Sequence, residues 1–391
     1  MPTPPTAADS PPEPSGVARQ LPPLIVLSDL ATQLIWPRLL RVPAAALWPS
    51  RLLLGVIGAA LAGLLGSLNT LWSDRPGIGS ALERVVAGGL GSAVTRGVAL
   101  DADGAAREVV RALVTGPADL ALAYPVSLPL LGLAMLGSLV AVGGGIARSV
   151  AEEGATGTRP SAARMLGWSL ARWPSAFAAV AVPLVALGLG VVLLRSLGWL
   201  GFALPGVNVV GAVLLPLGVA LGLAMAALAI GLGLGGIMVV PARAAEDSDA
   251  VDALQRALAY VVARPLRLVA YLAIALGVSA LALGVARGLV VGGGELTVQQ
   301  AGAWLSESRE AALTGVAPPA DDGTPGTLGG TARIAHWFVN LWGGVPVVLV
   351  SGYAISLFFT AGTRVYLAMR EVCDGQDPSE IQGAARADAG A

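Results

Sequence analysis

The sequence predicts an all-α polytopic membrane protein whose six transmembrane helices form three hairpins. Apolar residues make up 55% of the 391 residues and charged residues only 13%, whereas soluble globular chains carry roughly 25% charged residues. Several apolar runs exceed the roughly 18 residues that mark a candidate transmembrane helix. Because these runs are spread along nearly the whole chain, we expect one membrane domain rather than several soluble ones.

The composition also excludes several kinds of chemistry. Cys373 and His336 are the only residues of their types, and every basic residue is an arginine. One cysteine and one histidine cannot form an intrachain disulfide, a Cys/His zinc site or a histidine-based triad. Without lysine, the chain can form neither a P-loop nor a Schiff base. A net charge of −1 lacks the strong positive charge that is typical of nucleic-acid-binding proteins. We therefore predict no enzymatic activity, cofactor, metal site or nucleic-acid partner.

Six spans, two long excursions and two polar tails make up the predicted chain. Residues 1–20 are rich in proline and polar side chains, which is typical of a disordered tail. The membrane domain is predicted over 21–372, followed by a polar tail over 373–391. Outer excursions over 73–124 and 292–333 separate spans 1 and 2 and spans 5 and 6, and we expect the helices of the first to lie against the outer face of the membrane domain. The apolar runs place spans 1 to 6 at about 52–72, 126–146, 176–197, 209–240, 268–290 and 337–360.

A short motif precedes three of the spans. Pro49, Pro174 and Pro265 each stand where a helix-forming segment gives way to an apolar run. Proline starts a helix well but costs a backbone hydrogen bond inside one, and tryptophan and arginine suit the headgroup layer of a membrane. We therefore predict that interfacial elbow helices lead three hairpins, formed by spans 1–2, 3–4 and 5–6. The elbow residues are Trp48, Pro49, Arg172, Trp173, Pro174, Glu246, Asp247, Arg264, Pro265 and Arg267.

Two of these elbows share a longer pattern, in which an acidic pair precedes arginine near the start of a span. The residues concerned are Glu152-Glu153 with Arg172-Trp173-Pro174, and Glu246-Asp247 with Arg264 and Arg267. The pattern resembles that of uncharacterised six-helix bacterial membrane protein families, which are similar to the membrane domain that accompanies some glycerophosphodiester phosphodiesterases. The resemblance covers residues 148–290 and implies a fold and a topology. No segment is long enough for the soluble phosphodiesterase barrel, and no catalytic residue carries over.

The distribution of arginine predicts the orientation of the chain. Most of the 24 arginines fall in segments that share one side if both termini lie inside. Since positively charged residues favour the cytoplasmic side, we predict a multi-pass protein of the bacterial cytoplasmic (inner) membrane, with both termini inside.

Two groups of polar residues have both a functional and a structural interpretation. In the functional interpretation, the carboxylates at 246, 247, 249 and 252 bind a divalent cation. In the structural interpretation, which we favour, Asp249 caps the helix that follows. His336 and Asn340 lie four residues apart near the outer end of span 6. In the functional interpretation, they form a polar site inside the bundle. In the structural interpretation, which we favour, His336 lies at the membrane interface and Asn340 makes one interhelical hydrogen bond.

Glycine patterns are interpreted in the same way. The run Gly231-x-Gly233-x-Gly235-Gly236 superficially matches a dinucleotide-binding loop, but it follows no strand and lacks the spacing of the third glycine. Close helix packing is the favoured interpretation there, and also at Gly284-x-x-x-Gly288.

The leading functional hypothesis is a non-enzymatic membrane scaffold, assembly or regulatory protein. Its partners would be the lipid bilayer and other membrane proteins or a second copy of the chain. The alternative is a transporter or permease subunit that uses kinks at Pro183 and Pro216, since broken helices are a transporter device. Spans without internal Asp or Glu favour structural kinks, because ion-coupled carriers place ionisable groups inside the membrane. An intramembrane enzyme is the third hypothesis.

Overall fold

The described chain is helical. A computed structural model describes residues 36–202, 208–305, 313–315 and 329–376, and these ranges contain no β-strand. The predicted disordered tail over 1–20 lies outside the described residues. So do most of the polar tail and residues 306–312 and 316–328 of the second excursion.

Six helices within the described residues are long and apolar enough to cross a membrane, as the sequence predicts. They are span 1 (Pro49–Leu71), span 2 (Leu128–Thr156), span 3 (Trp173–Gly201), span 4 (Asn208–Glu246), span 5 (Pro265–Gly302) and span 6 (Gly330–Asp374).

Several spans continue past the boundaries predicted from apolarity. Span 2 runs through Arg148 and Glu152 until Gly157, whose φ of 70° ends the helix. Span 6 continues beyond Thr360 to Asp374, and Gly375 ends it in the same left-handed conformation. The polar flanks remain helical because their charged side chains find partners in other segments.

A short helix precedes each of spans 1, 3 and 5. Connecting helix 1 comprises a 3₁₀ turn and one α-helical turn (Trp36–Arg41 and Val42–Ala46), connecting helix 2 is Ala162–Ala171, and connecting helix 3 is Ala250–Ala263. Spans 1 and 5 begin at proline, and span 3 has proline as its second residue. These positions need no backbone N–H donor, so proline costs no hydrogen bond there.

The main core forms where spans 1, 3 and 5 begin and spans 2, 4 and 6 end, which we call the arginine-rich end. Side chains from five spans and connecting helix 2 meet in this core and exclude solvent. Its buried members are Leu54, Val140, Val142, Ile146, Met165, Ala176, Val240 and Phe359.

Glycine brings several helix backbones into contact. Span 1 crosses span 6 at Gly55 and Gly352, where a methyl group on Gly55 would overlap the Gly352 carbonyl oxygen. The run predicted to mediate packing in span 4 does so. A Cβ on Gly233 would lie 2.8 Å from Val109, and one on Gly235 would lie 2.9 Å from a methyl group of Val261.

The segment between spans 1 and 2 folds into a helical hairpin that reverses near Asp101. Its second half packs beside the middle of spans 3 and 4, where Val114 joins a cluster with Leu187, Met225 and Ala229. Apolar positions of this excursion therefore face the long sides of two spans.

We expect Gly55→Val to lower the stability of the protein by about 1–3 kcal/mol, the usual cost of overpacking, because the crossing at Gly352 leaves no room for a side chain. The measurement is thermal unfolding of the purified protein in detergent. Gly63→Val is the matched control, since nothing lies within 4 Å of a Cβ at Gly63. Equal losses in both variants would contradict the backbone contact.

Candidate functional site

The arginine-rich end carries a network of buried charges. Five charged residues in it are more than nine-tenths buried: Arg51, Arg148, Glu152, Arg243 and Arg370. A charge removed from water is tolerated only when it is paired and hydrogen-bonded. The partners come from different spans and connecting helices, so the network joins segments that are far apart in the sequence.

Arg51 is the centre of the first cluster. Its Nε donates to Ser149 Oγ at 3.0 Å, and its Nη2 donates to Glu153 Oε2 at 2.6 Å and to the Ser149 carbonyl at 3.1 Å. Its Nη1 donates to the Ala45 carbonyl at 2.9 Å. One guanidinium therefore ties span 1 to span 2 and to connecting helix 1.

Glu153 extends this cluster towards the surface. Its second oxygen accepts from Arg159 Nε at 2.8 Å. The Arg159 guanidinium also lies 4.0 Å from the ring centroid of Trp48, which gives a cation–π contact. The predicted elbow residue Trp48 thus contacts the network from the residue just before span 1.

Trp168 is the centre of the second cluster. Three guanidinium groups lie near its ring, those of Arg172 at 4.8 Å, Arg148 at 5.1 Å and Arg243 at 5.8 Å from the centroid. Arg148 also donates to Glu152 at 2.9 Å and to the Ala244 carbonyl at 3.2 Å. The indole allows three cations to approach one another because its face attracts each of them.

Asp247 neutralises two of those cations. It accepts from Arg172 Nε at 2.6 Å and Nη2 at 2.9 Å, and from Arg243 Nη1 at 2.9 Å. The hydrogen bonds from Arg172 and then Arg243 hold the pKa of Asp247 below its usual range, against the opposing effect of partial burial. With a φ of 51°, Asp247 occupies the left-handed region that aspartate tolerates better than most residues. This conformation turns the chain between span 4 and connecting helix 3.

The third cluster joins the ends of spans 4 and 6. Glu246 accepts from Tyr366 and pairs with Arg256 and with Arg370. Nearby, Tyr260 of connecting helix 3 donates to Asp374. Burial and the carboxylate of Asp374 raise the pKa of Tyr260, so this phenol remains a proton donor at physiological pH.

The acidic patch of the sequence separates into structural roles. Asp249 caps connecting helix 3 by accepting from the backbone N–H groups of Val251 and Asp252, both at 2.9 Å. The favoured capping interpretation is therefore confirmed. Glu246 and Asp247 face arginines instead, and the described residues contain no group of three or more His, Cys, Asp or Glu placed to hold a metal ion.

Some of the predicted elbow residues belong to the network, namely Trp48, Arg172, Glu246 and Asp247, and others lie outside it. Trp173 donates from Nε1 to the Gly137 carbonyl at 2.8 Å, whereas Arg264 and Arg267 are exposed and form no ion pair with a described residue. His336 and Asn340 lie far from the network, within one turn of span 6, with 2.9 Å between His336 Nε2 and Asn340 Nδ2.

Apart from Glu152, sequence reasoning did not single out the buried members of the network. The residues missed are Arg51, Arg148, Trp168, Arg243, Tyr260, Tyr366 and Arg370. An arginine at the edge of an apolar run is a visible signal, but its partner is not. Arg51 and Glu153 are separated by 102 residues.

Comparisons of the chain with models of protein families, with curated proteins and with solved structures find no match. The resemblance to the six-helix bacterial families stays a prediction that rests on the two elbow motifs.

We expect Arg51→Gln to destabilise the protein by about 3–5 kcal/mol. The change removes the buried cation that pairs with Glu153, which keeps only Arg159, and it removes the donors to Ser149 and the Ala45 carbonyl. Chemical or thermal unfolding in detergent measures the loss. Arg195→Gln is the control. Its pair with Asp119 has the comparable distance of 2.9 Å, but its side chains are 49% and 70% exposed, so a change within about 1 kcal/mol is expected. If Arg51→Gln and Arg195→Gln lost similar amounts of stability, burial would not explain the contribution of the Arg51 pair to the stability of the protein.

The pair between Arg172 and Asp247 predicts a pH dependence. Because folding lowers the pKa of Asp247, its stabilising contribution is complete above the pKa of the unfolded chain, about 3.9, and is lost as the pH falls through the lower folded value. Asp247→Asn should reduce stability at neutral pH by up to about 1 kcal/mol and flatten the acid side of the stability curve. Unfolding midpoints between neutral and acidic pH measure both effects. The control is Asp252→Asn, which removes an exposed carboxylate that forms no ion pair with a described residue. An unchanged slope in Asp247→Asn would refute the assignment.

Proposed function

We propose that this chain is a non-enzymatic integral membrane scaffold, assembly or regulatory protein of the bacterial cytoplasmic membrane, with both termini inside. The observation that carries the proposal is the unequal packing of spans 5 and 6. The buried residues of span 5 all lie at or before Ser279, and those of span 6 all lie at or after Gly352. This leaves 280–302 and 330–351 with no buried position, and each is long enough to cross the hydrocarbon core of a membrane.

The exposed half of span 5 carries a small-residue face suited to another helix. Gly284 and Gly288 lie four residues apart, and nothing in the described chain comes within 4 Å of a Cβ placed on either. Small residues let membrane helices approach closely. This face therefore supports association with a partner helix or with a second copy of the chain.

Association with lipid is supported by a cavity of ≈ 630 Å³ between spans 1, 2 and 3. Its lining is almost wholly apolar, with Ser138 as one polar member beside Trp173 and Phe177. Such a lining suits an acyl chain better than a charged solute.

The transporter alternative depends on Pro183 and Pro216, which both lie inside continuous helices. In the packing of spans 3 and 4, a Cβ on Gly190 would contact Met225, and one on Gly218 would lie 2.9 Å from Leu197. These contacts pair residue 190 with 225 and residue 197 with 218, so Pro216 lies at the level of residue 199 on span 3. Pro183 is 16 residues away from that level, which is about 24 Å along the bundle at 1.5 Å per residue. A shared midplane site requires both kinks at one depth, so the register favours the scaffold.

Filling the small-residue face tests the scaffold. In Gly284→Leu/Gly288→Leu, we expect capture of membrane partners, or self-association measured by crosslinking, to fall about tenfold. The unfolding midpoint should not change, because no described residue contacts these glycines. Gly63→Leu, which adds the same side chain at another open position on span 1, should retain capture.

Partner capture requires gentle extraction from the native membrane and mass spectrometry of the proteins retained. Pro183→Ala/Pro216→Ala, assayed in parallel, should leave capture intact. If the chain is captured alone and the proline variant abolishes the flux of a solute in reconstituted vesicles, the transporter alternative replaces the scaffold.

A further inference from the structure

A group of arginines at the arginine-rich end carries more positive charge than its neighbours neutralise. Connecting helix 1 lies along span 6, where Ser356 donates to the Ala46 carbonyl and Glu371 pairs with Arg38. Arg364 lies between these two contacts on span 6, close to the charges of Arg38, Arg41, Arg51 and Glu153. With Arg159, which shares Glu153, this makes five arginines. The carboxylates that pair with them are Glu153 and Glu371.

Both carboxylates are already engaged. Glu153 pairs with Arg51 at 2.6 Å and with Arg159 at 2.8 Å, and Glu371 pairs with Arg38 at 3.1 Å. Arg41 is left without an ion pair among the described residues. Arg364 also lacks a hydrogen-bond partner at its Nε, which is buried and so cannot reach water. A buried guanidinium donor without an acceptor costs free energy that a ligand oxygen would recover.

The local backbone presents two of these arginines together. Arg38 and Arg41 are three residues apart in the 3₁₀ turn Trp36–Arg41, and side chains at this spacing in a 3₁₀ helix lie on the same side. Leu39 anchors the turn with 1% of its surface exposed. Arg38 is 61% exposed in its pair with Glu371, and so exposed a pair is worth little. Arg38 is therefore free to exchange this partner for a stronger one.

The other two clusters do not have this combination. Around Glu246, two arginines face the carboxylates of Glu246 and Asp374. Around Trp168, the cations share the indole face and are bridged by Glu152 and Asp247. Buried guanidinium donors without a hydrogen-bond partner also occur in these two clusters, at Arg243 Nε and Arg370 Nη1, but Arg243 pairs with Asp247 and Arg370 with Glu246. By contrast, Arg41 and Arg364 form no ion pair with a described residue.

We propose that Arg38, Arg41 and Arg364 form a binding site for a phosphate group, carried either by the headgroup of an anionic phospholipid or by a soluble phosphate. The planar guanidinium fork matches phosphate oxygens in pairs. Arg38 and Arg41 are exposed and provide access, and Arg364 supplies a buried donor that has no acceptor in the protein. The site lies beside the start of span 1, where Trp48 is 38% exposed, a position suited to tryptophan at a membrane interface. This proposal requires no partner protein, so it stands or falls independently of the scaffold.

The test uses the full chain reconstituted in phosphatidylcholine vesicles that contain phosphatidylglycerol. After extraction, native mass spectrometry measures which lipid stays bound. We expect phosphatidylglycerol to be enriched over phosphatidylcholine, and Arg41→Gln/Arg364→Gln to reduce the enrichment about tenfold, given the contribution of each basic residue at a charged surface. Raising the ionic strength should weaken binding in the wild-type protein.

Matched variants separate binding from folding. Arg84→Gln/Arg287→Gln removes the same charge from two exposed arginines elsewhere and should retain the enrichment. Arg41→Gln alone alters an exposed side chain without a described partner, so its loss of binding cannot be attributed to misfolding.

The source of the phosphate is decided by a second measurement. If inorganic phosphate raises the unfolding midpoint in detergent through Arg41 and Arg364 while no phosphatidylglycerol is enriched, the same site is assigned to a soluble anion. If neither ligand binds, or if the double variant binds both as well as the wild-type protein does, the proposal is overturned.

Discussion

Arg51 must be neutralised inside the protein, because 1% of its surface is exposed and an unpaired buried charge costs several kcal/mol. Its donors reach Glu153 and Ser149 on span 2 and the Ala45 carbonyl on connecting helix 1. Satisfying one side chain therefore fixes span 1 against two other segments. These hydrogen bonds have narrow ranges of distance and angle. We expect them, together with the close crossing of Gly55 and Gly352, to fix the register in which the apolar surfaces pack.

The parts of the fold that depend on local sequence could be predicted from it. Six apolar runs indicate six long helices, proline marks the start of spans 1 and 5, and Asp249 caps the helix that follows it. The boundaries of spans 2 and 6 could not be predicted in this way. Their ends are helical because Glu152 and Arg370 have partners from distant segments. The same limit applies to the site, since Arg172 and Asp247 were both singled out but lie 75 residues apart, and nothing local indicates that they meet.

The two ends of the bundle differ in what holds them together. Among the described residues of the arginine-rich end, ion pairs and hydrogen bonds join every span except span 5, which is held there by buried side chains such as Leu268 and Tyr271. Towards the opposite end, the described halves of spans 5 and 6 expose their apolar side chains. Lipid tails are as apolar as leucine, so no hydrophobic force drives these halves together within a bilayer. The protein therefore does not need to cover them with its own chain.

Span 6 connects these two regions as one continuous helix of 45 residues. At 1.5 Å per residue its length is about 68 Å, roughly twice the thickness of the hydrocarbon core. Its exposed first half and its buried second half belong to one helix, which contains Pro346 six residues before the crossing at Gly352. Proline removes a backbone hydrogen bond inside a helix, so the exposed half can bend at Pro346 without displacing Tyr366 and Arg370. The polar network is thus separated from the exposed half of span 6 by a proline and by a close backbone crossing.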